Sequence, residues 1–251
     1  MTVYFIGAGP GDPELITVKG QRLIRACPVI LYAGSLVPEA VLEGHRAETL
    51  INTAELHLEE IIGHLRQAHA RGQDVARVHS GDPSLYGAIG EQIRHLRALG
   101  IPFQIVPGVT ATAACAALLE SELTLPGISQ TLILTRYATR SAMPAGEQLH
   151  DLARHGATMA IHLGIAHLQQ IVAELLPHYG ADCPVAVIHR ASWPDQDWVS
   201  GTLADIRPKV EAKGFRRTAL ILVGRVLTAD GFHDSALYRE DHRHLYRAPS
   251  D

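Results

Sequence analysis

The chain has 251 residues, which is enough for one large or two modest domains, each with its own core. Apolar residues make up 47% and charged residues 19%, and a net charge of −4 provides no basic field for nucleic acid or an anionic membrane. The three cysteines are widely spaced and form no CxxC pair, which argues against a disulfide framework or a zinc knuckle and favours a cytoplasmic protein.

Strand-like and helix-like segments alternate in the first half of the chain. Apolar runs predict strands at 3–8, 28–33, 74–81 and 102–108. Helices are predicted between and after them, at 15–26, 55–72, 86–99 and 110–119. This alternation is typical of an α/β domain with a mainly parallel sheet covered by helices.

The second half repeats the alternation with one change. Strands are predicted at 131–135, 158–163, 184–189, 197–201 and 219–224, and helices at 148–155, 165–176 and 203–213. The fourth of these strands follows the third without room for a helix, so the second sheet is predicted to be mixed. We therefore expect two α/β domains, residues 1–122 and 131–229. A linker at 123–130 joins them, and a C-terminal extension at 230–251 follows.

The stretch VYFIGAGPGDPELITVKG, residues 3–20, runs from a strand through a glycine-rich turn into a helix. It resembles the GxGxxG loop of dinucleotide-binding domains, but its third glycine comes one position early and Pro10 removes a backbone N–H donor. The second strand is followed by no acidic residue before Glu39 that could bind a ribose. The same residues also fit a purely structural role, a tight turn followed by a helix that Asp12 caps and Pro13 begins. This stretch alone therefore leaves two interpretations open, a binding loop and a plain turn.

Two further strands end in similar signals. SGDPSLYG, residues 80–87, repeats the GDPxL of 11–15 and predicts that Asp82 caps a helix starting at Pro83. An aspartate at the carboxyl end of a parallel strand also lies where open α/β sheets bind ligands. VPGVTA, residues 106–111, places Thr110 before the small-residue helix ATAACAALL, which either admits a ligand close to its backbone or packs tightly.

The chain resembles the tetrapyrrole methyltransferase family over nearly its whole length. The three motifs above occur in the order and spacing of that family, as do IHLG, HRASWPDQ, SGTL and ALILVG. YAGSL, HLEE and ELTLPGISQTLILTR look most like the family members that methylate precorrins in cobalamin biosynthesis. The resemblance implies a methyltransferase that uses S-adenosylmethionine, releases S-adenosylhomocysteine and forms a homodimer. It also implies a ligand cleft between the two domains, with the glycine loop as part of its wall.

The resemblance also implies site residues by motif. The cofactor would be bound by residues of both domains: Pro10, Ser80, Gly81, Asp82, Leu85, Thr110, Ala111, Leu163, Ala191 and Ala219. Plain strand packing is the alternative for the last three, and Thr218 stands where the family often has proline. Asp82 is the first candidate for a catalytic role and Tyr86, expected on the first helical turn, the second. Arg136 and Arg140 would bind substrate carboxylates, or else are solvated loop arginines.

Several alternatives stay open at this point. An NAD-dependent oxidoreductase is disfavoured by Pro10 and by the missing ribose acid. Relatives of the family act on protein or ribosomal RNA, and the negative net charge argues weakly against RNA. A non-catalytic tetrapyrrole-binding module would bind the macrocycle but not the methyl donor. No basic leader, membrane-length apolar run or compact metal-ligand spacing is present, so neither membrane contact nor a metal site is expected.

Overall fold

The structure is a computed structural model and describes residues 1–138 and 141–235. Two compact units are formed. The first contains Met1–Ala114 together with Arg190–Gln196, and the second contains Cys115–His189 and the described residues from Asp197 onward. Each unit has its own five-stranded sheet.

The sheet of the first unit is entirely parallel, as the alternating sequence pattern predicts. Its strands, in chain order, are β1 (Val3–Gly7), β2 (Val29–Tyr32), β3 (Thr49–Asn52), β4 (Val75–His79) and β5 (Phe103–Val106). Their order across the sheet is β3-β2-β4-β1-β5. The edge strand β3 was not predicted because its residues alternate between half-buried and exposed and form no continuous apolar run.

Helices cover both faces of this sheet. They are α1 (Val18–Ala26) on one face, and α2 (Leu58–Ala70) and α3 (Ile89–Ala98) on the other. A further helix, α4 (Ala111–Leu118), begins in this unit, and its residues from Cys115 onward belong to the second. Because neighbouring residues of a strand point to opposite faces, Ile6 packs in a core with Ile24 of α1, whereas Phe5 packs in a second core with Leu65 of α2. The position of the sheet between two cores explains why β1 and β4 are buried almost throughout.

Two helices of this unit begin later than the sequence predicts. Asp12 does cap a turn with Pro13 at its first position, but this turn is a short 3-10 helix, Pro13–Leu15. Thr17 then accepts a hydrogen bond from Gly20 N–H at 3.1 Å and starts α1. The prediction of a helix from Pro83 is wrong, since α3 begins only at Ile89.

The sheet of the second unit is mixed, as predicted. Its strands are β6 (Leu132–Arg136), β7 (Thr158–His162), β8 (Pro184–His189), β9 (Asp197–Thr202) and β10 (Ala219–Val223), in the order β6-β7-β10-β8-β9. Strands β6 and β7 are parallel, and the remaining pairings are antiparallel. The helices are α5 (Leu149–Ala153), α6 (Leu168–Tyr179) and α7 (Ile206–Lys213), which enclose one apolar core with the sheet. In neither unit does the described chain contain a helix long and apolar enough to cross a membrane.

Candidate active site

Three loops meet at one edge of the first sheet. Strands β4, β1 and β5 are neighbours, and because they are parallel, their carboxyl ends lie along the same edge. The loops that follow are residues 8–12, 80–87 and 107–110, which carry most of the residues predicted for the cofactor. The structure therefore brings the three sequence motifs together within one unit.

Glycines allow the backbones of these loops to touch. Gly9 and Gly81 exchange backbone hydrogen bonds, at 3.3 Å from Gly9 N to Gly81 O and 2.7 Å from Gly81 N to Gly9 O. A Cβ atom on Gly7 would lie 2.6 Å from Gly108 Cα and equally close to the carbonyl oxygen of Gly81. Side chains are excluded from this junction, so the glycines at 7 and 108 are required by close backbone approach.

The Asp82 carboxylate ties two of the loops together. Its Oδ2 accepts a hydrogen bond from Gly108 N–H at 2.9 Å, while Oδ1 accepts one from Ser84 N–H at 2.8 Å and another from the Ser84 hydroxyl. Burial by itself raises the pKa of Asp82, but the hydrogen bonds from Ser84 and Gly108 outweigh it, and the pKa lies below its ordinary value. Asp82 is therefore ionised at neutral pH and joins the ends of β4 and β5.

Residues 86–88 do not form the predicted start of a helix, because two of them have left-handed backbone conformations. Tyr86 and Ala88 have φ values of 56° and 49°, which are uncommon for residues other than glycine. A Cβ atom on Gly87 would overlap the carbonyl group of Pro83. Tyr86 is 45% exposed at this turn, so the predicted catalytic tyrosine precedes α3 and lies at the surface of the first unit.

A buried polar group under this turn was missed by the sequence analysis. Arg77, 4% exposed in the middle of β4, donates through Nε to Gln92 Oε1 at 3.2 Å, and Gln92 donates to Ala88 O at 3.0 Å. Burial lowers the pKa of Arg77 to about 10. Burial, with the charge of Arg77, lowers the pKa of His79 to about 3, so that imidazole is neutral. An arginine within the otherwise apolar run of β4 was the available signal.

The third loop ends at the small-residue helix α4. Thr110 Oγ1 accepts a hydrogen bond from Ala113 N–H at 3.2 Å, which is the arrangement of a helix N-cap. Thr110 and Ala111 are both partly exposed. The predicted pair therefore begins α4 beside the loop that contains Gly108.

The glycine loop itself is bound by a segment distant in sequence. Trp193 Nε1–H donates to the carbonyl oxygen of Pro10 at 2.8 Å, and Asp12 N–H donates to Ser192 Oγ at 3.0 Å. The predicted cofactor residue Ala191 belongs to the same segment and is 6% exposed. The sequence analysis singled out only Ala191 in HRASWP and missed Ser192 and Trp193.

Two predicted cofactor residues lie in the second unit. Leu163 directly follows β7, is 60% exposed and has a φ of 55°, so it does not pack in its sheet. A bulky residue in this backbone region is strained, and such strain is concentrated at functional positions. Ala219 begins β10, follows Thr218, whose φ is 52°, and packs partly against the core of the second unit.

Arg136 and Arg140 are the two residues predicted to bind the substrate. Arg136 ends β6 and donates to the carbonyl oxygens of Ser141 at 3.1 Å and Ala142 at 3.2 Å. Its guanidinium thus contacts the loop that follows. Arg140 lies outside the described residues.

A cavity of about 530 Å³ in the second unit lies between residues 165–170 and 207–216, and none of the predicted site residues lines it. Among the described residues, no cluster of three or more histidine, cysteine, aspartate or glutamate side chains is arranged to hold a metal ion.

Comparison with known proteins identifies close relatives. The family model described as Tetrapyrrole (Corrin/Porphyrin) Methylases matches residues 2–207. The chain is 79% identical to the precorrin-4 C(11)-methyltransferase of Pseudomonas aeruginosa over 98% of this chain and 99% of that one.

Solved structures also match. One is the cobalt precorrin-4 methyltransferase CbiF, with a TM-score of 0.88, 42% identity, and coverage of 91% of this chain and 96% of that one. A uroporphyrin-III C-methyltransferase from Thermus thermophilus, complexed with S-adenyl homocysteine, matches with a TM-score of 0.73 and 31% identity over 90% of this chain and 99% of that one.

Proposed function

The chain belongs to the tetrapyrrole (corrin/porphyrin) methylase family, and we propose that it transfers a methyl group from S-adenosylmethionine to C11 of precorrin-4, giving precorrin-5 in cobalamin biosynthesis. The observation that carries the substrate is the 79% identity, over nearly the full length of both chains, to a precorrin-4 C(11)-methyltransferase. A second candidate is cobalt-precorrin-4, because a cobalt precorrin-4 methyltransferase is 42% identical and has the same fold.

The side chains of the three loops at the edge of the first sheet suit a positively charged cofactor. S-adenosylmethionine has a cationic sulfonium and no phosphate. The three loops, residues 8–12, 80–87 and 107–110, contain Asp12 and Asp82 but no lysine or arginine. Pyrophosphate binding uses backbone N–H donors and cations, so this set of side chains favours a phosphate-free cation over a dinucleotide. The related structure with S-adenyl homocysteine supports the same assignment.

The protein contributes alignment and exclusion of water more than acid–base chemistry. When bound, S-adenosylmethionine supplies an electrophilic methyl group whose leaving group departs as a neutral thioether. The acceptor carbon of an electron-rich tetrapyrrole needs orientation for in-line attack, which fixed loops provide. We assign the methyl-donor wall to Pro10 and the Gly81–Asp82 loop, with Thr110–Ala111, Leu163 and Ala191 as further contacts.

Asp82 and Tyr86 are the proposed contacts to the reacting macrocycle. The ionised carboxylate of Asp82 can accept hydrogen bonds from pyrrole N–H groups, since each carboxylate oxygen has two acceptor sites. It also stabilises positive charge that develops on the acceptor during methylation. Arg136 is the proposed partner of a substrate carboxylate, because a guanidinium with five N–H donors retains donors after binding backbone carbonyls.

We further propose that the enzyme acts in the cytoplasm as a homodimer. The proposal follows from the family resemblance and from cysteines that are all unpaired and buried. Light scattering coupled to size-exclusion chromatography would report twice the chain mass. A monomer that retains full turnover would contradict the assembly and leave the activity intact.

The substrate is tested with S-adenosylmethionine labelled with carbon-13 in its methyl group. The protein is incubated separately with precorrin-4, cobalt-precorrin-4 and uroporphyrinogen III, and carbon NMR locates the new methyl group. We expect label at C11 of precorrin-4, and faster transfer to it than to cobalt-precorrin-4. Label at another ring position would contradict the substrate assignment. Binding of a tetrapyrrole without binding of S-adenosylmethionine would indicate a non-catalytic module.

A further inference from the structure

We infer that Trp193 is a positioning residue that fixes the glycine loop through Pro10 and Gly11, and thereby shapes the wall against which the methyl donor binds. The contact itself stands on the geometry of the first unit. Its consequence for cofactor affinity rests on the proposed function. The sequence motif gave a role to Ala191 alone, so Trp193 is an addition to the candidate site.

Two hydrogen bonds from segment 190–196 flank Gly11. On one side, Trp193 Nε1–H donates to Pro10 O at 2.8 Å. On the other, Ser192 Oγ accepts from Asp12 N–H at 3.0 Å. Three successive residues of the glycine loop are thus held by two successive residues that lie more than half the chain away in sequence.

The side chain of Trp193 also explains why residue 11 is glycine. A Cβ atom on Gly11 would overlap the indole ring, whose Cγ would be 2.8 Å away and whose Cδ1 and Nε1 would be nearer still. Gly9 needs glycine for its backbone conformation, with a φ of 80°, but the φ of Gly11 is outside the left-handed region. The indole, and not the backbone, therefore excludes a side chain at position 11.

Trp193 is itself held firmly. The guanidinium of Arg190 lies 4.0 Å from the centre of the indole ring and pairs with Asp195 at 2.8 Å. Ser192 N–H donates to Gln196 Oε1 at 2.9 Å. Arg190 and Ser192 have left-handed φ values of 50° and 69°, a strained conformation that persists only where surrounding contacts enforce it. Segment 190–196 is thus a rigid support. If the indole contact is lost, we expect the glycine loop to shift and this segment to keep its conformation.

The first test compares Trp193→Phe with Trp198→Phe. The two positions are the only tryptophans of the chain, and Trp198 lies in β9 of the second unit with 42% exposure, so it is a matched control. Binding of S-adenosylhomocysteine is measured by calorimetry well below the unfolding temperature of each variant. We expect Trp193→Phe to weaken binding about three- to tenfold, the effect of one lost hydrogen bond, and Trp198→Phe to leave it unchanged. Unchanged affinity in Trp193→Phe would overturn the inference, because a merely structural contact lowers only the unfolding temperature.

The second test is a double-mutant cycle at Gly11. Gly11→Ala should weaken S-adenosylhomocysteine more than about tenfold in the wild-type background, because a well-packed aromatic side chain resists overpacking. In Trp193→Leu, the same substitution should have little further effect. Additive losses would show that the indole does not exclude the side chain, and would overturn the inference.

The cycle also separates this inference from the proposed function. Wild-type protein that fails to bind S-adenosylhomocysteine would contradict the methyltransferase assignment. The unfolding temperatures of the same four proteins would still report the contact. We expect Gly11→Ala to lower the unfolding temperature only when Trp193 is present, and an equal drop in both backgrounds would contradict the contact.

Discussion

Asp82→Asn should destabilise the first unit, although an asparagine oxygen can also accept the hydrogen bond from Ser84 N–H. The two carboxylate oxygens of Asp82 accept from different groups, Oδ2 from Gly108 N–H and Oδ1 from Ser84. An amide has only one oxygen, so its NH₂ group must face one of these N–H donors. A hydrogen bond to a charged group contributes roughly 1.5–3 kcal/mol, and partial exposure of this site places the expected loss at about 1–2 kcal/mol.

Asp12→Asn is the control, because the same Gly-Asp-Pro sequence occurs there with a local role. Asp12 Oδ1 accepts from Glu14 N–H at 2.8 Å, a bond that an asparagine oxygen also makes. We expect a change within about 0.5 kcal/mol at Asp12, measured by urea unfolding at neutral pH. Equal losses at the two positions would refute the reasoning that Gly108 distinguishes them.

The same variant tests the proposed role of Asp82 in methyl transfer. If the carboxylate aligns or stabilises the acceptor, Asp82→Asn lowers turnover at saturating substrates by far more than it changes cofactor affinity. Asp12→Asn removes one acidic charge from the loops but no contact proposed to the macrocycle, so it should leave turnover at saturating substrates unchanged. Wild-type turnover in Asp82→Asn would restrict Asp82 to its structural role of joining two loops.

Three further outcomes are expected. The pKa of Asp82 is lowered in the fold from the ordinary value of 3.8, so its contribution to stability is present above about pH 4 and is lost as the pH falls further. The difference in unfolding free energy between wild type and Asp82→Asn should therefore shrink as the pH falls below about 4, and a constant difference would contradict this. Gly108→Ala should prevent native folding, measured by circular dichroism, because its Cβ would lie 2.8 Å from Gly7 Cα and nearer still to the carbonyl oxygen of Gly81. Gln92→Leu should cost about 1–3 kcal/mol in urea unfolding, since it removes an acceptor from buried Arg77, and a neutral result would show that Arg77 finds another partner.

Most strands could be predicted from the sequence because they are continuous apolar runs, and the edge strand β3 was missed because it is not. Buried parallel strands such as β1 and β4 leave a continuous hydrophobic signal, and the short connection between β8 and β9 requires an antiparallel pair. The start of α3 could not be predicted from local signals. Pro83 after Asp82 has the form of a helix start, but the left-handed conformations of Tyr86 and Ala88 interrupt the helix, and the network through Arg77 and Gln92 supports that turn from beneath.

The candidate site was predictable only as far as its motifs are local. Both Gly-Asp-Pro stretches predict a capped turn, and for Asp12 that description is sufficient. Asp82 has the same neighbours in sequence but a second partner, Gly108, whose position depends on the order of the strands. The hydrogen bond from Trp193 to Pro10 is still harder to predict, because no residue near Pro10 in sequence indicates which distant donor will bind the Pro10 carbonyl oxygen.

Backbone strain gives a second argument for the site residues that the resemblance implies. The described residues other than glycine with left-handed φ values are Tyr86, Ala88, Glu120, Leu163, Arg190, Ser192 and Thr218. All but Glu120 either are site residues proposed from the motifs or lie within two residues of one. Such conformations cost about 1–3 kcal/mol each and persist where surrounding structure enforces them, most often at ligand sites. The coincidence of these strained positions with the motifs favours ligand contact over simple packing, most clearly for Leu163, which is both strained and exposed.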